Sequence, residues 1–170
     1  AVEIEIVSRD ERESGERMLL NFGHTFGHAL EQVTGYGTLA HGEAVFYGMR
    51  AAIRLSEKCG MMPQPKARSL DKWIATLELP GAKCSTDELL TAIQSDKKTA
   101  SGKLRWILLR DAGKPVISHD VPEQVERECA EWLEEVTRSG AVAISIPRRR
   151  RVVILNGPNL NLLGTREPSV

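Results

Sequence analysis

Apolar residues recur at the spacing of an amphipathic helix along two long stretches, from about Met18 to Val33 and from about Gly42 to Cys59. The segment Gly35–Thr38 separates them and predicts a loop. The same periodicity predicts three further helices, over Lys66–Leu77, Thr86–Ser95 and Pro122–Arg138. The residues Ser85–Glu88 offer an N-cap to the second of these three helices.

Strand-type patterns occupy the rest of the chain. Leu104–Leu109 and Val116–Ser118 predict a β-hairpin. After the basic run Arg148–Arg151 comes Val152–Leu155, a short and wholly apolar run that is typical of a buried parallel strand. The predicted organisation is a mainly α domain with a small β-hairpin over residues 1–146, a basic linker over 147–151, and the first strand of a truncated α/β domain over 152–170.

The composition narrows the functional class. Of the 170 residues, 41% are apolar and 27% are charged, which is the balance of a globular protein. The formal net charge of zero favours neither nucleic acid nor a membrane surface as a partner. No signal-peptide pattern is present, and the scattered Cys59, Cys84 and Cys129 predict reduced thiols in a cytoplasmic protein. Because the first residue is Ala1, the chain is expected to begin inside a longer reading frame.

Four polar side chains share one face of the first predicted helix: Arg17, Asn21, His24 and His28. Their offsets of 4, 7 and 11 residues place them within a sector of roughly 60° on an α-helix, opposite an apolar face. Gly23 and Gly27 lie beside this polar face, although glycine costs a helix about 1 kcal/mol relative to alanine. We therefore expect another helix or a ligand to approach the backbone closely there.

Histidines one helical turn apart can present two nitrogens to one metal ion, and His41 follows at the start of the next predicted helix. From spacing alone, His24, His28 and His41 predict a zinc site. The alternative interpretation is a solvated face with unrelated surface histidines, because the pattern H-x-x-x-H is only moderately specific.

The sequence NFGHTFGHALE from Asn21 to Glu31, followed by HGEAV from His41 to Val45, resembles the signature of the 3-dehydroquinate synthases. Further matches occur in the same order at Asp10, Glu11, Asp96, Lys97, Lys98, Gly102 and Leu104. The resemblance covers roughly residues 1–140 and implies that the helical domain binds a metal.

This resemblance changes the interpretation of the histidines. In the family, the residues that match His24 and His41 bind zinc, and the third ligand is a glutamate from an earlier segment. The histidine that matches His28 lies in the substrate pocket and does not bind the metal. The resemblance therefore implies a metal site of His24 and His41, with His28 as a catalytic residue.

The resemblance also implies how the substrate is held. The residues that match Arg17 and Asn21 contact the substrate, and one or both of Lys97 and Lys98 reach its anionic groups. Glu43, near the start of a helix, is expected to interact with the helix dipole rather than to bind the metal.

The implied activity is that of a lyase in the shikimate pathway of aromatic amino acid biosynthesis. Its substrate is a seven-carbon sugar-acid phosphate, in which bound NAD oxidises one hydroxyl transiently. Phosphate is eliminated, the ketone is reduced again, and the ring opens and closes into a carbocycle. Zinc, or another divalent metal such as cobalt, polarises the reacting hydroxyl and carbonyl. The intact parent is expected to be a homodimer.

Two departures from the family pattern bear on activity. The family places a substrate-binding lysine fourteen residues before Arg17, where this sequence has Glu3. No glycine-rich dinucleotide loop occurs, so no residue is assigned to NAD and this chain by itself is expected to be inactive. The alternatives are another sugar-phosphate cyclase, such as a 2-deoxy-scyllo-inosose synthase, and a folded fragment without catalysis. The retained His28 argues against the valiolone-forming relatives.

The segment from Ile154 to Pro168 resembles the start of a type II 3-dehydroquinase, a family whose substrate is the product of the synthase. This second resemblance implies a flavodoxin-like α/β domain, with Asn159 as an active-site asparagine and Arg166 as a mobile-loop arginine. The parent would then be a bifunctional enzyme for consecutive steps. Because Arg148–Arg151 has no interleaved aromatic residues, it predicts a solvated linker rather than a nucleic-acid site.

Overall fold

The computed structural model of the protein describes residues 16–99 and 104–139. After a 3-10 helix at Glu16–Asn21, the elements are α1 His24–Thr34, α2 His41–Lys58, α3 Gln64–Ile74, α4 Thr86–Thr99, β1 Trp106–Asp111, β2 Lys114–Ser118 and α5 Glu123–Ser139. The two strands form an antiparallel pair. The predicted mainly α fold with a small hairpin is therefore confirmed. Within the described ranges, no helix is long and apolar enough to cross a membrane.

Residues Asn21–Ile144 form one compact unit. The described residues 16–20 belong to a second unit. Several predicted features lie outside the described residues, namely Glu3, the linker 147–151, the strand Val152–Leu155, Asn159 and Arg166. The division into domains and the flavodoxin-like assignment stay predictions.

Helix α2 lies at the centre of the larger unit, where it packs against α1, α3, α5 and β1. Its side chains Tyr47, Ala51 and Leu55 are fully buried in the main hydrophobic cluster. The buried hydroxyl of Ser56 accepts a hydrogen bond from the N–H of Leu109 at 2.9 Å and so ties α2 to β1. Burial of apolar area contributes about 25 cal/mol per Å² to folding. The buried side chains of α2 therefore contribute strongly to the stability of this unit.

The first predicted helix is not continuous, and the prediction of one helix from Met18 to Val33 is wrong. The chain forms a 3-10 helix as far as Asn21, and Gly23 then adopts a left-handed backbone conformation with φ of 84° before α1 begins. An added Cβ on Gly23 would lie 2.6 Å from the backbone nitrogen of Met49. The close approach expected at the glycines is therefore made by helix α2. At the same point, Gly23, the predicted helix Met18–Val33 is interrupted.

Two other boundaries differ from the predicted ones in ways that matter. Helix α4 continues to Thr99, so Lys97 and Lys98 belong to the helix instead of following it. In the hairpin, Asp111 pairs with Lys114, which leaves a tight two-residue turn in which Gly113 has φ of 70°.

The predicted N-cap of α4 is confirmed. The N–H of Ser85 donates to the carboxylate of Glu88 at 3.1 Å, and the N–H of Glu88 donates to the hydroxyl of Ser85 at 3.4 Å. This reciprocal pair fixes where α4 begins, and α4 in turn packs against α1.

Candidate metal and substrate site

Three histidine side chains from two helices meet in the larger unit. His24 is the first residue of α1, His28 lies one turn later, and His41 is the first residue of α2. One ring nitrogen from each lies within 4.8 Å of the others. The ring centroids are 5.3 Å apart for His24 and His28, 5.5 Å for His24 and His41, and 5.8 Å for His28 and His41. The structure thus brings together the imidazoles that the sequence singled out.

The starts of the two helices position these rings. Gly23 turns the chain so that α1 begins at His24. At the second helix, Ala40 is extended and its N–H donates to the carboxylate of Glu43 at 2.7 Å, which fixes His41 as the first helical residue. Glu43 therefore acts at the N-terminus of the helix, where a carboxylate also interacts favourably with the helix dipole.

The environment of His24 keeps its imidazole neutral. Burial lowers the pKa of His24 below its ordinary value, and the neighbouring His28 and His41 lower it further. The backbone carbonyls of Phe22 and Asn21 act in the opposite direction but do not outweigh burial. The Nδ1 atom of His24 is buried without a hydrogen-bond partner of good geometry. Neutral imidazole is the form that binds a metal ion, so His24 is prepared for that role.

We expect the metal-free protein to lose stability through His24 as the pH falls from about 7.5 to about 5.5. The folded pKa of His24 lies below its ordinary value of 6.5, so the unfolded chain takes up the proton first. The contribution of neutral His24 is present above about pH 6.5 and is lost as the pH falls towards the lowered folded pKa. Urea unfolding across this range measures the effect.

The substitution His24→Gln should reduce this pH dependence. His119→Gln is the matched control, because His119 is an exposed histidine between β2 and α5. A free energy of unfolding that varies with pH equally in wild type and His24→Gln would contradict the assignment.

His41 is held by a carboxylate that the sequence reasoning did not identify. Its Nδ1 lies 3.1 and 3.2 Å from the two carboxylate oxygens of Glu31 on α1. The side chain of His41 is 58% exposed, while that of Glu31 is 14% exposed. Glu31 follows His28 by three residues on the same helix face, so helical spacing could have indicated it. What the sequence could not show was that the loop would return His41 to this face.

The donor set fits a divalent metal ion. Zinc binds imidazole nitrogen at about 2.0–2.1 Å, so the donors of a tetrahedral site lie about 3.3 Å apart. The three histidine nitrogens lie within 4.8 Å of one another, and the rings would need to close by about 1.5 Å. His28 and His41 are exposed, so small changes of their side-chain torsions are sterically open, and for His41 these can occur while the contact with Glu31 is kept. Nitrogen donors of this kind suit zinc and other first-row transition metals.

A groove of about 530 Å³ opens beside the histidines. Helix α1, the following loop, the start of α2 and helix α4 form its walls through Thr25, His28, Ala29, Glu31, Gln32, Tyr36, His41, Ala92, Ile93 and Ser95. Tyr36 is 86% exposed at its edge. Because Ser95 lines the groove, the last turn of α4, which carries Lys97 and Lys98, continues from the groove wall.

The remaining predicted site residues are only partly described. Asn21 is half-buried at the end of the 3-10 helix, and Arg17 lies earlier in the same helix. The prediction that both share an α-helical face with the histidines is wrong, because the left-handed Gly23 separates them from α1. The side chains of Arg17, Lys97 and Lys98 lie outside the described residues.

Comparisons with known proteins point to one family. The sequence model described as 3-dehydroquinate synthase C-terminal matches residues 1–99. A 3-dehydroquinate synthase of Opitutus terrae is 46% identical in an alignment of 136 positions that covers 76% of this chain and 37% of that protein. A 3-dehydroquinate synthase of Rippkaea orientalis is 42% identical in an alignment of 125 positions that covers 72% of this chain and 34% of that protein. The chain therefore spans about a third of the length of these curated relatives.

Solved structures of cyclases share the fold. A 2-deoxy-scyllo-inosose synthase, complexed with carbaglucose-6-phosphate, NAD+ and Co2+, aligns with a TM-score of 0.67 at 25% identity over 76% of this chain and 39% of its own. A 2-epi-5-epi-valiolone synthase from Streptomyces hygroscopicus, with NAD+ and Zn2+ bound, aligns with a TM-score of 0.63 at 25% identity over 78% of this chain and 37% of its own.

Proposed function

The chain belongs to the 3-dehydroquinate synthase C-terminal family, and we propose that its intact parent is a 3-dehydroquinate synthase to which this chain contributes the metal-binding half of the active site. The observation that carries the proposal is the convergence of His24, His28 and His41 beside a groove, on the segment that matches the family. The substrate would be a seven-carbon sugar-acid phosphate, and the product a carbocycle.

His24 and His41 would hold the metal, either zinc or cobalt. Similar cyclases carry Zn2+ or Co2+ together with NAD+, which supports the same pair of cofactors here. When bound, the metal supplies Lewis-acid polarisation of a hydroxyl or carbonyl, and NAD supplies the transient oxidation. Within this chain, burial lowers the pKa of His24 and so favours the neutral imidazole that can bind a metal ion.

His28 would move protons rather than bind the metal. Its ring is exposed and lines the groove, where a substrate hydroxyl can reach a ring nitrogen. Imidazole is the commonest general acid and base, and such transfer contributes typically about 10²–10⁴-fold to a rate. Arg17, Asn21 and one or both of Lys97 and Lys98 would orient the substrate through its carboxylate and phosphate.

Sequence identity favours the shikimate-pathway substrate over the substrates of other cyclases. The curated 3-dehydroquinate synthases are 42% to 46% identical to this chain, whereas the 2-deoxy-scyllo-inosose synthase is 25% identical. Assaying the intact parent with the seven-carbon acid phosphate and with glucose 6-phosphate separates the two activities. We expect phosphate release only from the seven-carbon acid phosphate, and release only from glucose 6-phosphate would overturn the proposal.

In the intact parent, His28→Ala should lower kcat by about 100-fold or more while zinc binding is kept.

We further propose that residues 152–170 begin a type II 3-dehydroquinase. The support is the motif from Ile154 to Pro168, with Asn159 and Arg166 at its matching active-site positions. Such an arrangement would join two consecutive steps in one polypeptide, because the second enzyme consumes the product of the first. Reading the coding sequence downstream tests this: a catalytic tyrosine and histidine in the family's order are expected there.

A further inference from the structure

We propose that Glu31 is a positioning residue for the metal site, whose carboxylate holds the His41 ring with hydrogen on Nδ1 and so directs Nε2 to a divalent cation. This inference rests on the proposed function of the histidine cluster. It assigns a role to a residue that does not itself bind the metal or the substrate.

The contact is specific in its geometry. Both carboxylate oxygens of Glu31 lie within 3.2 Å of Nδ1 of His41, whereas no contact of Glu31 with an imidazole nitrogen of His24 or His28 is seen. Among the described side chains, no lysine or arginine forms an ion pair with Glu31. The carboxylate is therefore available to His41.

The chemistry of the two groups sets the tautomer. An ionised carboxylate only accepts hydrogen bonds, so Nδ1 of His41 must be the donor. A neutral imidazole carries one N–H and one lone pair, so Nε2 then presents the lone pair. Histidines that bind metals commonly donate the other ring N–H to a carboxylate, which orients the ring and makes it a stronger ligand.

His41 has particular need of such a partner. It is the first residue of α2 and its side chain is 58% exposed, so burial alone does little to fix the orientation of its ring. Glu31 is 14% exposed and lies on α1, the helix that supplies His24 and His28. The contact therefore links the exposed His41 ring to the helix that carries the other two imidazoles.

The test uses Glu31→Gln, which keeps the size of the side chain and removes its charge. In the metal-free protein, two-bond 1H–15N correlation spectra of the imidazoles report which nitrogen carries hydrogen. We expect His41 of the wild type to show the Nδ1–H form, and Glu31→Gln to show a mixture, since an amide can donate or accept. Zinc affinity, measured by competition with a chelator, should fall about 10- to 100-fold.

Glu131→Gln is the matched control, because Glu131 is an exposed carboxylate on α5 and its replacement removes the same charge. It should change neither the His41 spectrum nor the zinc affinity. An unchanged His41 tautomer in Glu31→Gln, or a changed tautomer with unchanged affinity, would overturn the proposal. If the wild type bound no zinc, the proposed metal function would fail, and the metal-free spectra would still report separately whether Glu31 sets the tautomer.

Discussion

Replacing His24 with alanine is expected to lower the zinc affinity of this chain by at least about 100-fold, more than the loss of any residue that acts through a ligand. His24 is the most buried of the three imidazoles, and its lowered pKa keeps the nitrogen lone pair free at pH 7. His41→Ala should have a comparable effect, because it leaves only one of the two proposed metal ligands, His24. Isothermal titration of the metal-free protein with zinc measures both affinities.

His28→Ala decides between the two interpretations of the histidine cluster. Spacing alone favours three metal-binding histidines, and the nitrogens of all three lie within 4.8 Å of one another. The family resemblance assigns His28 to the substrate instead, so we expect its loss to change zinc affinity by less than about 10-fold. His119→Ala is the control for an exposed histidine outside the cluster. An effect of His28→Ala as large as that of His24→Ala would establish a three-histidine metal site.

Helical periodicity was enough to predict most elements of the fold. The stretch predicted over Gly42–Cys59 is the helix His41–Lys58, and the one predicted over Pro122–Arg138 is Glu123–Ser139. These segments have a regular apolar face and a clear start or stop residue, so local sequence and tertiary packing favour the same conformation. For these two helices, in which local sequence and tertiary packing agree, the predicted boundaries are accurate to one residue.

The break at Gly23 could not be predicted from periodicity, because it depends on a partner distant in sequence. Met18–Val33 keeps helical spacing through Gly23, and a glycine inside a helix is unfavourable but tolerated. The chain turns there because the backbone of Met49 in α2 occupies the space next to it. The glycines correctly indicated a close approach of two helices. They did not indicate that the first predicted helix, and not α2, would be interrupted there.

The histidine cluster could be predicted from the sequence, but the carboxylate beside it could not. His24 and His28 lie one helical turn apart and His41 opens the next predicted helix, so spacing singled out all three. The choice of His24 and His41 as the metal ligands comes from the family resemblance and stays a prediction. The contact between Glu31 and His41 requires the loop of residues 35–40 to fold back, and Gly35 and Gly37 take φ values of 81° and 102° to do so. Local sequence permits such a loop without specifying where its ends meet.

The substitution Gly48→Ala is expected to cause the largest loss of stability, because Gly48 lies where α2 crosses α1 beside the histidine cluster. An added Cβ on Gly48 would lie 2.0 Å from the carbonyl oxygen of Gly23 and 2.6 Å from the backbone nitrogen of Gly27. Both obstacles are backbone atoms, so α1 and α2 must separate, and overpacking of this kind costs about 3 kcal/mol. Chemical denaturation measures the free energy of unfolding.

Gly42→Ala provides the control within the same helix, because nothing lies within 4 Å of the added Cβ. It should leave stability unchanged or raise it by up to about 1 kcal/mol, since alanine favours helix over glycine. Separation of α1 from α2 would also move His24 and His28 away from His41, so Gly48→Ala should weaken zinc binding although it changes no ligand. Equal stabilities of Gly48→Ala and Gly42→Ala would mean that the two helices do not cross at Gly23 and Gly48, and that the cluster is assembled in some other way.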